Sequence, residues 1–305
     1  MKRLISILVS GAFAVSAVFA QGTALPFIRM DRNPVTAGLA GAGSAMVTPW
    51  TAYSSFSNPA VAAFSATKFD IGLNYGMWAP KSSDLTIFGG GVGFKPIEGL
   101  VISAGAVMQN WPEMELYSPT GTPDGTFTPR EMLFSLGAGY AILPNVSVGA
   151  NVHYASEQLG EGSNNSVSAI CGDVFAAYST GPLQVSAGIA ALGGKVDGKY
   201  DLPTSAKLAG AYMIPFEKVH SITLVADADY YFSGDAGVSA GLQYAYDGLA
   251  FLRAGYRYAT DGAPVPTHLA VGGGISYQGL RVDISYITLS EIIGGSLSLG
   301  LAYSF

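Results

Sequence analysis

The stretch "SLSLGLAYSF", residues 296–305, alternates without a break: Leu297, Leu299, Leu301, Tyr303 and Phe305 are apolar, and Ser296, Ser298, Gly300, Ala302 and Ser304 between them are small. A period of two means a strand with two unlike faces. In a soluble sandwich the apolar face points at a core. In a membrane barrel it points at lipid and the small, polar set lines the lumen. The choice depends on how often the pattern recurs and on what the second face is made of.

It recurs fourteen times. From Thr67 onward, alternating segments begin near Lys68, Leu85, Leu100, Met132, Val146, Val167, Leu183, Ser205, Val219, Gly237, Leu249, His268, Leu280 and Gly295. Six connections are short: 95–99, 143–145, 181–182, 216–218, 247–248 and 278–279. Seven are mostly longer or more polar: 78–84, 111–130, 159–165, 195–204, 233–236, 261–266 and 290–294. The two kinds take turns along the chain. Bacterial outer-membrane barrels combine an even strand number with short periplasmic turns and longer outer loops, so the count predicts a 14-stranded antiparallel transmembrane β-barrel with both ends periplasmic.

The second face is polar or small. Asp227 and Asp229 oppose Ile222, Leu224 and Tyr230; Arg253 and Arg257 oppose Leu252, Tyr256 and Tyr258; Arg281 and Asp283 oppose Val282, Ile284 and Tyr286. Such charges belong in a lumen, because an Arg at the lipid midplane costs about 2–4 kcal/mol. The tyrosines gather toward strand ends on the apolar face, as headgroup girdles do.

Only 12% of residues are charged and 49% are hydrophobic, against about 25% charged in ordinary soluble domains. No helix-length apolar run follows the N-terminus, and a net charge of −6 argues against nucleic acid. Lys2 and Arg3, the apolar stretch from Leu4 to Phe19, and the small residues Ser16, Ala17 and Ala20 read as a secretory signal over 1–20, cut after Ala20. With one cysteine, Cys171, no disulfide forms within the chain. The expected location is the bacterial outer membrane.

Residues 21–66 do not alternate. "NPVTAGLAGAG" and "SSFSNPAVAAF" are rich in Gly, Ala, Pro and Ser, yet Phe27, Val35, Leu39, Trp50, Phe56 and Phe64 call for burial. Glycines on the inward set (Gly72, Gly105, Gly137, Gly139, Gly149, Gly188, Gly241, Gly272 and Gly274) leave room for it. The expected organisation is therefore a plug over 21–66, entering from the periplasmic side, and a barrel over 67–305. The segment "PFIRMDRNPVTAGLAGAGSAMVTPWTAYSSFSNPAVAAF" resembles the N-terminal part of the PorV/PorQ family, which is related in fold to the long-chain fatty-acid transporter FadL, a fourteen-stranded barrel with an N-terminal hatch. The matching residues are the glycine stretch Gly38 to Gly43, with Gly41 and Gly43 in it, and the triplet Asn58-Pro59-Ala60. Pro34-Val35 stands where that family has Ala-Arg, and Leu39-Ala40-Gly41 where it has Met-Gly-Gly. The resemblance implies a Bacteroidetes-type outer membrane and a docking or accessory role in an outer-membrane assembly such as type IX secretion. The alternative it leaves is a FadL-like passive channel for small hydrophobic molecules.

Catalytic and metal chemistry is not expected. His153, His220 and His268 lie on different strands without cysteines or paired acids at ligand spacing, and "GGGVGF" (89–94) lacks the Lys-Ser/Thr pair of a phosphate loop. No cofactor is implied. The lumen charges Asp227, Asp229, Arg253, Arg257, Arg281 and Asp283 are expected to pair with one another and hold barrel and plug together, or else to guide a solute. In the second long connection, Trp111, Met114, Leu116 and Tyr117 form a candidate surface for a protein partner or a hydrophobic ligand, rimmed by Glu113, Glu115 and Asp124.

Overall fold

The computed structural model describes residues 23–48, 50–78, 84–118, 120–160, 166–288 and 295–305. The signal sequence expected over 1–20 and much of three expected loops (79–83, 161–165 and 289–294) lie outside the described residues.

Among the described residues sixteen strands form: β1 Phe69–Trp78, β2 Leu85–Ile97, β3 Leu100–Asn110, β4 Met114–Tyr117, β5 Pro123–Phe127, β6 Arg130–Leu143, β7 Val146–Gln158, β8 Ser166–Thr180, β9 Leu183–Gly193, β10 Ser205–Phe216, β11 His220–Tyr231, β12 Ala236–Tyr246, β13 Ala250–Ala259, β14 His268–Tyr277, β15 Leu280–Thr288 and β16 Gly295–Ser304. Fourteen of them close into one antiparallel barrel, and β4 and β5 form a separate hairpin within the connection from β3 to β6. Each barrel strand pairs with its sequence neighbour, and β16 returns to β1 with Asp70 opposite Ser304 and Met77 opposite Leu297. The last residue extends the seam: Phe69 and Phe305 exchange backbone hydrogen bonds at 3.0 and 2.9 Å, and their rings meet at 5.1 Å. Closure leaves no edge strand in the barrel, so every strand finds hydrogen-bond partners on both sides.

The pleat sorts side chains as the alternation requires. Leu252 is 64% exposed while Arg253 beside it is 4% exposed. Ile170, Ile275 and Leu136 likewise stand outward, and Asp227, Arg257 and Arg281 stand inward, buried. An outer wall of Leu, Ile, Val and Tyr suits hydrocarbon rather than water. No helix among the described residues is long and apolar enough to cross a membrane.

Among the described residues the register shifts in three barrel strand pairs, in two of them beside a short turn and in the third within the wall. The register between β8 and β9 shifts between Gly172 and Val174. Ala191 takes a left-handed φ of 54° there, and its amide donates to Asp173 Oδ1 at 2.8 Å. The bulge turns both Ala190 and Ala191 inward.

Candidate functional site

Residues 23–48 and 50–66 lie against the inner wall. Two one-turn helices, α1 Pro34–Ala37 and α2 Pro59–Ala62, start identically. Asn33 Oδ1 accepts from the Val35 amide at 3.0 Å, and Asn58 Oδ1 from the Ala60 amide at 3.1 Å. Each Asn-Pro pair thus supplies an N-cap acceptor and a proline at the first helical position, where no amide hydrogen is needed. Asn58 also donates to Ser44 O at 3.0 Å, tying the second cap to the glycine stretch. Gly41 and Gly43 adopt φ of 80° and 104°, a region that disfavours side chains.

Wall side chains hold this segment by its backbone. Gly43 N donates to Asp227 Oδ1 at 2.8 Å, and Ser44 donates to the same carboxylate through both its amide and its hydroxyl. Ala52 N donates to Asp70 at 2.6 Å. Ser147 and Ser239 donate to the carbonyls of Ala60 and Ala40, and Asn151 to that of Ser57. The inward glycines are the complementary surface. A Cβ at Gly139 would overlap the Pro59 carbonyl, and one at Gly149 would crowd Ala60; at Gly241 and Gly255 the obstacle is Leu39. Gly188 and Gly274 make room for other wall groups, the Phe175 ring and the Asp283 carboxylate.

Five of the six inward charges fall into two networks, and the sixth, Asp227, holds Gly43 and Ser44 instead. Toward the long loops, Asp229 receives Arg257 at 3.0 Å, Lys207 at 3.0 Å and, from the N-terminal segment, Arg29 at 3.2 Å. Toward the short turns, Asp283 receives Arg253 at 2.8 Å and Arg281 at 2.5 Å, and Arg281 lies over the rings of Phe251 and Trp50 at 4.7 and 5.1 Å. Arg29, Lys207 and Asp70 were absent from the sequence-derived set. Inward parity on β10 and β1 would have found the last two. A further cation, Arg32, is buried and donates to Phe27 O at 2.5 Å; burial draws its pKa down to about 10, which leaves it charged at neutral pH.

Above the segment, at the long-loop end, lies a cavity of about 370 Å³. Phe27, Ile28, Met30 and Phe56 form its floor, Trp78, Ile87 and Phe175 line it from β1, β2 and β8 with Glu131 and Asp173 among them, and Lys207, Asp229 and Arg257 line it from β10, β11 and β13. Val107, Leu133, Ala155, Cys171 and Ala191 join Ile87 in a buried cluster contributed by successive barrel strands from β2 to β9. The connection after β9 folds down onto it: Val196 and Leu202 join that cluster with Leu25 and Phe27, and Ala24 N donates to Asp201 O at 2.9 Å.

The structure divides the aromatic set of the second loop. Trp111 lines the cavity together with Glu131. Met114 and Tyr117 stand exposed on the β4–β5 hairpin, and Leu116 is half-buried. Tyr117 donates to Glu115 at 2.5 Å.

A chain the sequence reading missed joins three adjacent strands. Ser135 meets His153 Nδ1 at 2.7 Å, and His153 Nε2 meets Asp173 Oδ2 at 2.9 Å. With Nε2 donating to the carboxylate, Nδ1 accepts from the hydroxyl. The residue types match a nucleophilic triad, but of the three Asp173 alone lines the cavity, and it also holds Asn151 and the Ala191 amide at 3.0 and 2.8 Å. The chain braces the wall at the bulge. His268 also lines the cavity, with Nδ1 against Pro266 O at 2.8 Å. Among the described residues, no group of three or more His, Cys, Asp or Glu is placed to hold a metal ion.

No protein-family model matches the chain, and no curated protein matches it in sequence. Solved structures do match in fold. The toluene transporter TodX of Pseudomonas putida aligns over 95% of this chain and 99% of its own, with 15% identity and a TM-score of 0.61. The toluene transporter TbuX of Ralstonia pickettii aligns over 89% and 97%, with 14% identity and a TM-score of 0.61. A FadL homologue of Pseudomonas aeruginosa aligns over 90% and 98%, with 13% identity and a TM-score of 0.56. At these identities the likeness is one of fold.

Proposed function

We propose that the protein is an outer-membrane channel that passes small hydrophobic molecules without an energy source. The observation that carries this reading is the cavity between the N-terminal segment and the long loops, lined by a mixture of aromatic, aliphatic and ion-paired side chains. Its volume of about 370 Å³ falls in the range of about 300–1,000 Å³ typical of small-molecule sites. Aromatic and aliphatic side chains line much of it, and polar groups from several strands and from the N-terminal segment stand among them, a mixture that small-molecule sites use for contact area and orientation. The N-terminal segment acts as a plug beneath the cavity, pinned to the wall by backbone hydrogen bonds and by the Arg29–Asp229 pair. Fold-level support comes from the toluene transporters, whose barrels align over nearly their whole length. The docking role implied by the PorV/PorQ resemblance rests here on the exposed hairpin alone.

The test is uptake of labelled toluene by cells that carry the protein in their outer membrane. Phe27→Ala enlarges the cavity floor and removes a main apolar contact. The expected result is uptake above that of cells without the protein, altered severalfold by Phe27→Ala and unchanged by Met114→Ser with Tyr117→Ser on the hairpin. Uptake equal to that of protein-free cells would sink the channel reading. A co-purifying protein lost with the hairpin variant would move the function to docking.

A further inference from the structure

On the outer wall, across β12 to β15, a groove runs past Gly273, lined by Tyr244, Leu252, Ile275, Val282 and Ile284. The register accounts for it. Leu252 and Ile284 are the cross-strand partners of Gly273 on its two sides. Ala250, opposite Ile275, is the next small side chain toward the short turns and also lines the groove. Large apolar groups therefore stand around a floor of one hydrogen and one methyl. Nothing behind the wall demands this glycine. A Cβ on Gly273 would meet Phe251 O at 3.5 Å and Leu252 Cδ2 at 3.9 Å, ordinary contacts. Its neighbours differ: at the inward Gly272 a Cβ would press on Gly38 at 3.1 Å, and at Gly274 it would overlap the Asp283 carboxylate. The space left at Gly273 opens outward.

We propose that this groove is a binding site for one acyl chain of a membrane phospholipid, drawn from the leaflet at the short-turn end. The proposal rests on the reading of the barrel as an outer-membrane protein. The groove is continuous with the apolar outer belt, where acyl chains are the surrounding medium, and no ionisable side chain apart from the Tyr244 phenol lines it. Its few lining residues fall well short of the roughly 20–30 per side that a stable protein interface uses. One end carries interfacial chemistry. Tyr244 Oη meets His220 Nδ1 at 2.7 Å, His220 stacks on Phe216 at 5.4 Å, and His220 Nε2 lies 3.5 Å from Glu217. Rings with polar tips settle at the headgroup level. That places the head group beside this cluster, within reach of the turn that carries Lys218, and the chain runs from there toward Gly273.

The experiment is native mass spectrometry of the full-length protein extracted from membranes in mild detergent. The collision energy is raised until loosely held lipid is stripped. Wild type should keep one phospholipid. Gly273→Leu should lose it, as should Ala250→Leu, which fills the floor from the neighbouring strand. Ala226→Leu, outward on β11, should keep it. Heat-modifiable gel migration shows that each variant has assembled. A wild type that keeps no lipid, or filled variants that keep it as wild type does, would overturn the proposal. A two-barrel mass that both filled variants abolish would overturn it in favour of a second copy. Recovery of the protein in the soluble fraction would instead remove the membrane reading itself, and that is seen before any spectrum is taken.

Discussion

Asp229 carries more than any other inward residue. Three cations converge on it, one from the N-terminal segment and two from the wall, and it is 5% exposed. Breaking a buried pair from one side leaves the other charges uncompensated and costs about 3–5 kcal/mol. Asp229→Ala is therefore expected to lower the denaturant midpoint and to free the N-terminal segment for proteolysis. Asp235→Ala in the loop after β11, where the carboxylate holds Ser233 and Thr260 near the surface, should shift the midpoint far less. Equal effects would mean that the network around Asp229 does not hold the segment. Asn58 is a second single-residue lever. Losing its cap costs about 1 kcal/mol, and Asn58→Ala also removes the tie to Ser44. The expected result is a segment that is cut faster by protease inside an intact barrel.

Fit between segment and wall belongs to the elements. β6 and β7 present Gly139 and Gly149 to α2, and any Cβ there collides with the backbone of Pro59 or Ala60. Gly139→Val should leave the strand pairing intact, because valine suits a strand, while α2 is pushed away from the wall. The measurable outcome is a larger single-channel conductance in planar bilayers, with heat-modifiable migration retained. Conductance equal to wild type would mean that the segment does not obstruct the lumen. The hairpin β4–β5 offers the opposite case. Its strands pair with each other and not with the barrel, so its removal should spare assembly.

At the scale of the whole molecule, closure and facing decide whether the chain assembles at all. Leu252→Arg puts a guanidinium on the outer wall and costs about 2–4 kcal/mol near the bilayer midplane. It should reduce the heat-resistant barrel band. Arg253→Leu, one residue on, breaks the pair with Asp283 but leaves the outer belt intact, so its barrel should still reach the membrane. Equal tolerance of the two would contradict the facing of β13. Orientation has its own check. A protease site placed within 120–125 of the hairpin should be cut on intact cells, and one at Glu98, in the turn between β2 and β3, should be protected. Cutting at Glu98 would invert the barrel.

The number of barrel strands, their order around the wall and the face of nearly every side chain were legible in the amino-acid sequence. All three follow from local geometry: a pleat of period two, and connections too short for anything but neighbouring antiparallel pairing. The hairpin β4–β5 was hidden because its strands are only four and five residues long and the second carries Pro123 and Gly125, and the bulge at Ala191 because the carboxylate that holds its amide, Asp173, lies on another strand. The inward glycines could be recognised as vacant space, but not matched to occupants. Arg29 is 200 positions from Asp229, and Gly43 is 184 from Asp227. The cavity, the mixture of apolar and charged groups around it, and the removal of Trp111 from the hairpin surface arise only when strands remote in sequence are bent round one segment. A residue's own neighbours dictate which way it points. What it meets there is decided by closure of the barrel, because closure sets which distant groups share the lumen.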